Sequence, residues 1–270
     1  MKIHFLGTAA AEGFPALFCR CPHCAKAREL GGKNVRTRSS AIIDDTLKID
    51  FPPDTLHHVL RDRLDLGLVK DLFVTHTHSD HLRAEDLEMR LPVYAHGLDH
   101  PLTVYGHDAV VRKCREAFGR PGDEQIIVRR IVPFETIDTG SAKVTPLPAN
   151  HDPDETCLLF FIEKDDKTLF YGHDTGLLPD ETWAWLSDRQ LDLAILDCTN
   201  GNLPWTGSHL NIESVLAIRN RMRDNGILRN GAQTVATHFS HNIGLQHGDL
   251  KAIFDPETIT VAFDGMVLHV

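Results

Sequence analysis

A chain of 270 residues with 42% hydrophobic and 24% charged side chains is long enough to bury a substantial apolar core, and it reads as one domain over 1–270. The formal net charge of −10 argues against a broad nucleic-acid surface, and no apolar run approaches the roughly 18 residues that a membrane helix needs. The opening residues, 1–7, lack a charged leader and a long apolar core, so a cytoplasmic location is expected.

In chain order, β-type runs are expected at 3–6, 41–43, 72–75, 126–132, 157–162, 169–171, 193–196, 235–237 and 259–262. Helical patterns fall at 54–64, 84–91, 109–118, 211–225 and 248–254, the fourth placing Ile212, Val215, Leu216 and Met222 at core-facing spacing. No low-complexity linker interrupts them. Strands in two packed sheets flanked by helices satisfy this order, although periodicity alone does not separate that layout from a doubly wound sheet.

Three of the six cysteines, Cys19, Cys21 and Cys24, lie within six residues, a spacing of thiolate metal ligands rather than of a secreted disulfide framework. Three thiolates leave one position of a tetrahedral zinc site for another ligand, and His23 is the local candidate. Cys114, Cys157 and Cys198 show no grouping and are expected as small buried residues.

Among the 17 histidines, His57, His58, His96 and His107 stand singly and are expected at the surface or in packing. The strand-like run Leu72-Phe73-Val74-Thr75 instead leads straight into His76-Thr77-His78-Ser79-Asp80-His81. Four ligand-type side chains within six residues at a strand end converge on a small volume, and imidazoles with a carboxylate suit zinc, iron or manganese.

This loop resembles the H-x-H-x-D-H motif of the metallo-β-lactamase superfamily at each defined position. The resemblance implies an α/β fold, a four-layer αββα sandwich, and further ligands at later strand ends. His151, Asp174 and His238 are the matching residues. It implies two divalent ions, one held by His76, His78 and His151 and the other by Asp80, His81 and His238, with Asp174 bridging. His173 is expected as a loop residue or as support behind the ligands. The chain keeps His78, where flavodiiron oxidoreductases usually carry Glu, and His81, which many true β-lactamases replace.

Gly7-Thr8-Ala9-Ala10-Ala11-Glu12-Gly13-Phe14-Pro15, followed by the cysteine loop 19–24, is similar to the PhnP-like phosphodiesterases accessory to carbon-phosphorus lyase. That likeness implies that His241, in His238-Phe239-Ser240-His241, completes a structural zinc site with Cys19, Cys21 and Cys24. Ser208-His209-Leu210-Asn211 and Phe263-Asp264-Gly265-Met266 also resemble that family, which makes His209 a candidate general acid or phosphate-binding residue. Asp80 and His209 are the candidate catalytic residues.

The implied function is hydrolysis of a small cyclic phosphodiester, such as a ribose cyclic phosphate or a cyclic nucleotide, by attack of a bridging hydroxide on phosphorus. The resemblance also suggests a homodimer. A lactone or thioester hydrolase could use the same ions, and a noncatalytic metal- or cofactor-binding relative is a reading from another class. No long basic insertion of the kind that grips tRNA is visible.

Overall fold

In the computed structural model, which describes residues 1–118 and 125–270, most of the first half of the chain builds one sheet and most of the second half another. Strands β1 (Lys2–Gly7), β2 (Ser40–Ile43), β3 (Leu47–Ile49), β4 (Asp71–Phe73), β5 (Leu102–Gly106) and β6 (Ile126–Arg130) lie side by side in that order. The second sheet runs through β7 (Ile137–Asp138), β8 (Lys143–Pro148), β9 (Leu158–Lys164), β10 (Lys167–Gly172), β11 (Leu191–Asp197), β12 (Leu228–Thr237) and β13 (Ile259–Val261). Strand β14 (Met266–His269) then returns to pair antiparallel with β1. The helices are α1 (Pro22–Leu30), α2 (Thr55–Asp62), α3 (Asp108–Phe118), α4 (Asp180–Leu186), α5 (Ile212–Asp224) and α6 (His247–Phe254). None of the described helices is long and apolar enough to cross a membrane.

Period-two alternation explains the layering, because successive residues of a strand face opposite sides of its sheet. On β9, Leu158, Phe160 and Ile162 enter the core between the sheets, while Leu159 and Phe161 pack outward with Trp183, Leu186 and Val215 from α4 and α5. On β4, Phe73 points between the sheets and Leu72 outward, toward Leu87, Val104 and Val110. Phe73 meets Phe160 edge to face, with ring centroids 5.5 Å apart, across the two sheets. Each such fully buried side chain contributes about 1.5–3 kcal/mol. With both faces of each sheet covered, the strands read as nearly unbroken apolar runs, and the result is the four-layer αββα sandwich.

Helix α5 follows its expectation closely. The Asn211 side chain accepts from Ser214 N–H at 2.9 Å and caps the helix, while Val215 and Met222 are fully buried and Ile212 and Leu216 pack against the same core.

The segment expected as a helix at 84–91 is instead a 3-10 stretch, Ala84–Arg90. The strand expected at 126–132 ends at Arg130, and that at 235–237 is the end of the longer β12. Helix α1 escaped the sequence pattern because it is capped by a thiol: Cys21 Sγ accepts from Cys24 N–H at 3.4 Å, with Pro22 starting the helix.

Candidate metal centre

The carboxyl ends of β4, β8, β10 and β12 meet at one edge of the sandwich, and each is followed by one of the expected ligands: His76–His81, His151, Asp174 and His238. Their donor atoms gather into two sets. His76, His78 and His151 form one, and Asp80, His81, Asp174 and His238 the other, with the donors in each set within 4.8 Å of one another. Asp174 and His238 adopt left-handed backbone, φ 61° and 63°, a conformation that costs of order 1 kcal/mol or more per residue and persists where surrounding packing dictates it.

Each histidine has one ring nitrogen tied to the wall, and this fixes what the other presents. Asp50 Oδ2 accepts from His81 Nδ1 at 2.8 Å. Thr199 Oγ1 donates to Asp197 Oδ2 at 2.7 Å, so it accepts from His238 Nδ1, also at 2.7 Å. By the same logic Thr75, whose hydroxyl donates to Asp50, accepts from His76 Nδ1 at 3.0 Å. Ser208 O accepts from His151 Nδ1 at 3.1 Å, and Asp152 Oδ2 accepts from His78 Nε2 at 2.9 Å. Five imidazoles thereby have one ring nitrogen held from behind and the other turned inward, the pattern by which partners behind a ligand orient it for a cation.

Those inward atoms fit divalent ions. His76 Nε2 and His238 Nε2 are buried with no hydrogen-bond partner among the described residues, a costly arrangement unless a cation satisfies them, and His81 Nε2 converges on Asp174 Oδ2 at 2.8 Å and Asp80 Oδ2 at 3.1 Å. His78 Nδ1 and His151 Nε2 stand 3.1 Å apart, although both are left as acceptors by their other bonds. Burial holds the His76 ring well below its ordinary pKa, reinforced by neighbouring His81, so a proton does not readily substitute for the ion there. Nitrogen and carboxylate donors in this mixture accept zinc, manganese or iron.

His209 lies beside both sets. Its Nδ1 is 3.1 Å from Asp174 Oδ1 and 3.3 Å from Asp197 Oδ2. Burial opposes its protonation, but the charges and hydrogen bonds of Asp197 and Asp174 together outweigh that, and the imidazole is pushed up to about 10. Asp197, at the end of β11, is fully buried and also accepts from Leu210 N–H at 2.8 Å, which draws the His209 loop inward. A cavity of ≈ 460 Å³ opens here, lined by His78, Asp80, His151, Asp174, His209 and His238 with neighbouring residues.

The cysteine loop gathers with His241: Cys19, Cys21, Cys24 and His241 offer donors within 4.8 Å of one another. His23, the local alternative, is not in that group. Glu12 Oε1 accepts from His241 Nδ1 at 2.9 Å, leaving Nε2 as the free ring nitrogen. One short turn after β12 thus carries His238 into one site and His241 into the other.

His173 joins neither of the two ligand sets. Its buried ring packs edge to face on His238 at 4.6 Å and lies 5.3 Å from the His81 ring. Of the histidines that stand singly, His58 is fully buried, bonded to Thr37 Oγ1 at 2.7 Å, so it is a packing residue.

Asp50, Asp152 and Asp197 were not singled out from the sequence. Asp50 directly follows β3 and Asp197 is the last residue of β11, as Asp174 follows β10 within two residues, and an acidic residue at such a strand end is the one local signal they offered.

A family model described as β-lactamase superfamily domain matches residues 49–239, which spans β3 to the end of β12 and includes all seven expected active-site ligands. The chain belongs to the β-lactamase superfamily. This superfamily membership, with both ligand sets complete, makes it a metal-dependent hydrolase. Among solved structures, a diphosphatase of the PhnP family superposes with a TM-score of 0.78 at 23% identity, over 99% of this chain and 97% of the other. Zinc-bound PqqB from Methylobacterium extorquens gives 0.78 at 18% identity, over the whole of both chains. A curated ribonuclease Z from Picosynechococcus sp. is 28% identical over 155 residues, which are 56% of this chain and 44% of that protein, so the match spans less than half of the relative.

Proposed function

We propose that this superfamily member is a phosphodiesterase that holds two divalent ions between the two ligand sets and cleaves a small cyclic phosphodiester, such as a ribose cyclic phosphate or a cyclic nucleotide. The observation that carries the proposal is the position of His209, 3.1 Å from Asp174 in the cavity that also exposes the ligands. Divalent ions in such a site supply Lewis acidity and lower the pKa of bound water to near neutrality.

The chain's own residues do the rest. The five imidazoles and the Asp80 and Asp174 carboxylates would hold those ions beside the cavity. Asp197, 3.3 Å from His209 Nδ1, aims the ring, which can pass a proton to the departing alkoxide, a role worth about 10²–10⁴ in rate. A cavity of ≈ 460 Å³ admits a nucleoside-sized molecule. The names of two relatives, a diphosphatase and a ribonuclease, support phosphorus rather than carbonyl carbon as the centre attacked. The Cys19-Cys21-Cys24-His241 group is proposed to hold a structural zinc, as thiolate-rich sites do.

The test is turnover of bis-p-nitrophenyl phosphate by the metal-replete protein. We expect hydrolysis that is lost in His78→Ala and in Asp80→Ala. Robust lactone turnover without diester cleavage would assign the site to acyl chemistry, and inertness toward every ester with full metal content would assign it to a noncatalytic role.

A further inference from the structure

We infer that the substrate's only negative charge is that of the phosphoryl group attacked and that it bears no second phosphate, its organic part being neutral and hydroxyl-bearing. This rests on the phosphodiesterase proposal and narrows it.

The walls of the catalytic cavity carry the argument. Beyond the proposed ligands and His209, its charged lining side chains are Glu12 and Asp152, both carboxylates. Asn200, Leu203, Ser240 and Asn242 are among the neutral ones, and among the described residues no Lys or Arg lines the cavity. The nearby cations are engaged elsewhere. Arg38 is paired with Asp54 at 3.0 Å, with its Nε donating to Ala11 O at 3.0 Å. Lys113 donates to the Thr77 carbonyl at 2.6 Å. Arg36 is buried, donating to Thr8 Oγ1 at 2.7 Å and Ala262 O at 2.6 Å.

Outside the proposed ligands and His209, Glu12 and Asp152 give this wall a negative sign. A second phosphate would lie against Glu12 or Asp152 with no cation to receive it, and sites that bind such groups normally supply Arg or Lys. The remaining oxygens of the Glu12 and Asp152 carboxylates can accept from a hydroxyl but repel an anion.

Two esters that differ by one phosphate test the inference: the p-nitrophenyl ester of thymidine 5′-phosphate with a free 3′-hydroxyl, and the same ester bearing a 3′-phosphate. We expect kcat/KM to be about tenfold or more higher for the first, because like charges brought together at a binding site are strongly disfavoured. Leu203→Arg adds a cation at a partly exposed lining position and should narrow the ratio, chiefly through a lower KM for the doubly phosphorylated ester. Calorimetric binding of thymidine 5′-phosphate and thymidine 3′,5′-bisphosphate should follow the same order. Equal or better use of the 3′-phosphorylated ester by the parent protein, or a ratio that Leu203→Arg leaves unchanged, overturns the inference while the phosphodiesterase proposal stands. Failure to turn over either ester, or bis-p-nitrophenyl phosphate, overturns the proposal itself and the inference with it.

Discussion

His78 Nδ1 faces His151 Nε2 across 3.1 Å, and each ring's other nitrogen already donates, to Asp152 and to Ser208 respectively. Two lone pairs so placed repel unless a cation lies between or beside them. The fold holds them there through two loops that follow different sheets, after β4 and after β8.

Metal removal should therefore cost stability as well as activity. Chelation is expected to lower the thermal midpoint, and added zinc to restore it, since an ion bound only by the native state at about 1,000 times its Kd stabilises by about 4 kcal/mol. Differential scanning calorimetry with and without chelator checks this, and an unchanged midpoint would count against cation-holding loops.

Asp50 is buried behind the site and ties His81 Nδ1 to Thr75 N–H and its hydroxyl. Asp50→Ala is expected to weaken active-site metal binding about 10–100-fold, because the carboxylate orients the ring that faces the ion. It should also destabilise the fold by about 3 kcal/mol, as loss of one partner of a buried polar pair does. Metal competition and urea unfolding measure the two effects separately.

For His209→Ala, kcat should fall about 10²–10⁴-fold while metal content holds. The loss should be smaller with p-nitrophenolate as leaving group than with an alkoxide, because the more acidic group departs without a proton. Equal losses for both would remove His209 from leaving-group protonation.

A separate pH effect comes from His58, which belongs to neither ligand set. Burial, with further repulsion from Lys48 and Arg61, pushes its imidazole down to about 2. The unfolded chain takes up that proton near pH 6.5 whereas the native chain does not, so this contribution is full above 6.5 and is lost as pH falls toward 2. The loss approaches about 1.4 kcal/mol per pH unit. Urea midpoints at pH 7.5 and 5.5 should differ less in His58→Gln than in the parent; identical slopes would contradict it.

How far the sequence discloses this site depends on where each contributor lies in the chain. His76 to His81 is legible because four donors crowd one loop, and the likeness to a known motif points onward to His151, Asp174 and His238. Asp50 and Asp197 were not, because a single carboxylate at a strand end has no local partner; its meaning lies in an imidazole 31 residues away for Asp50 and 12 residues away for Asp197. The sandwich was legible as alternating elements, and its two layers of sheet came from the motif rather than from periodicity. The 3-10 stretch at Ala84–Arg90 escaped because its apolar spacing, Ala84 with Leu87, serves a three-residue turn as well as an α-helical one.

The central claim is that two ions share one site and that both serve phosphodiester cleavage. Metal content and bis-p-nitrophenyl phosphate turnover, measured on the same samples of parent and Asp80→Ala, test it most directly. The account predicts three metals per chain in the parent, two in the ligand sets and one with the cysteines, and loss of one metal together with turnover in Asp80→Ala. Full turnover by a protein that holds a single ion in the histidine and aspartate sets would contradict it.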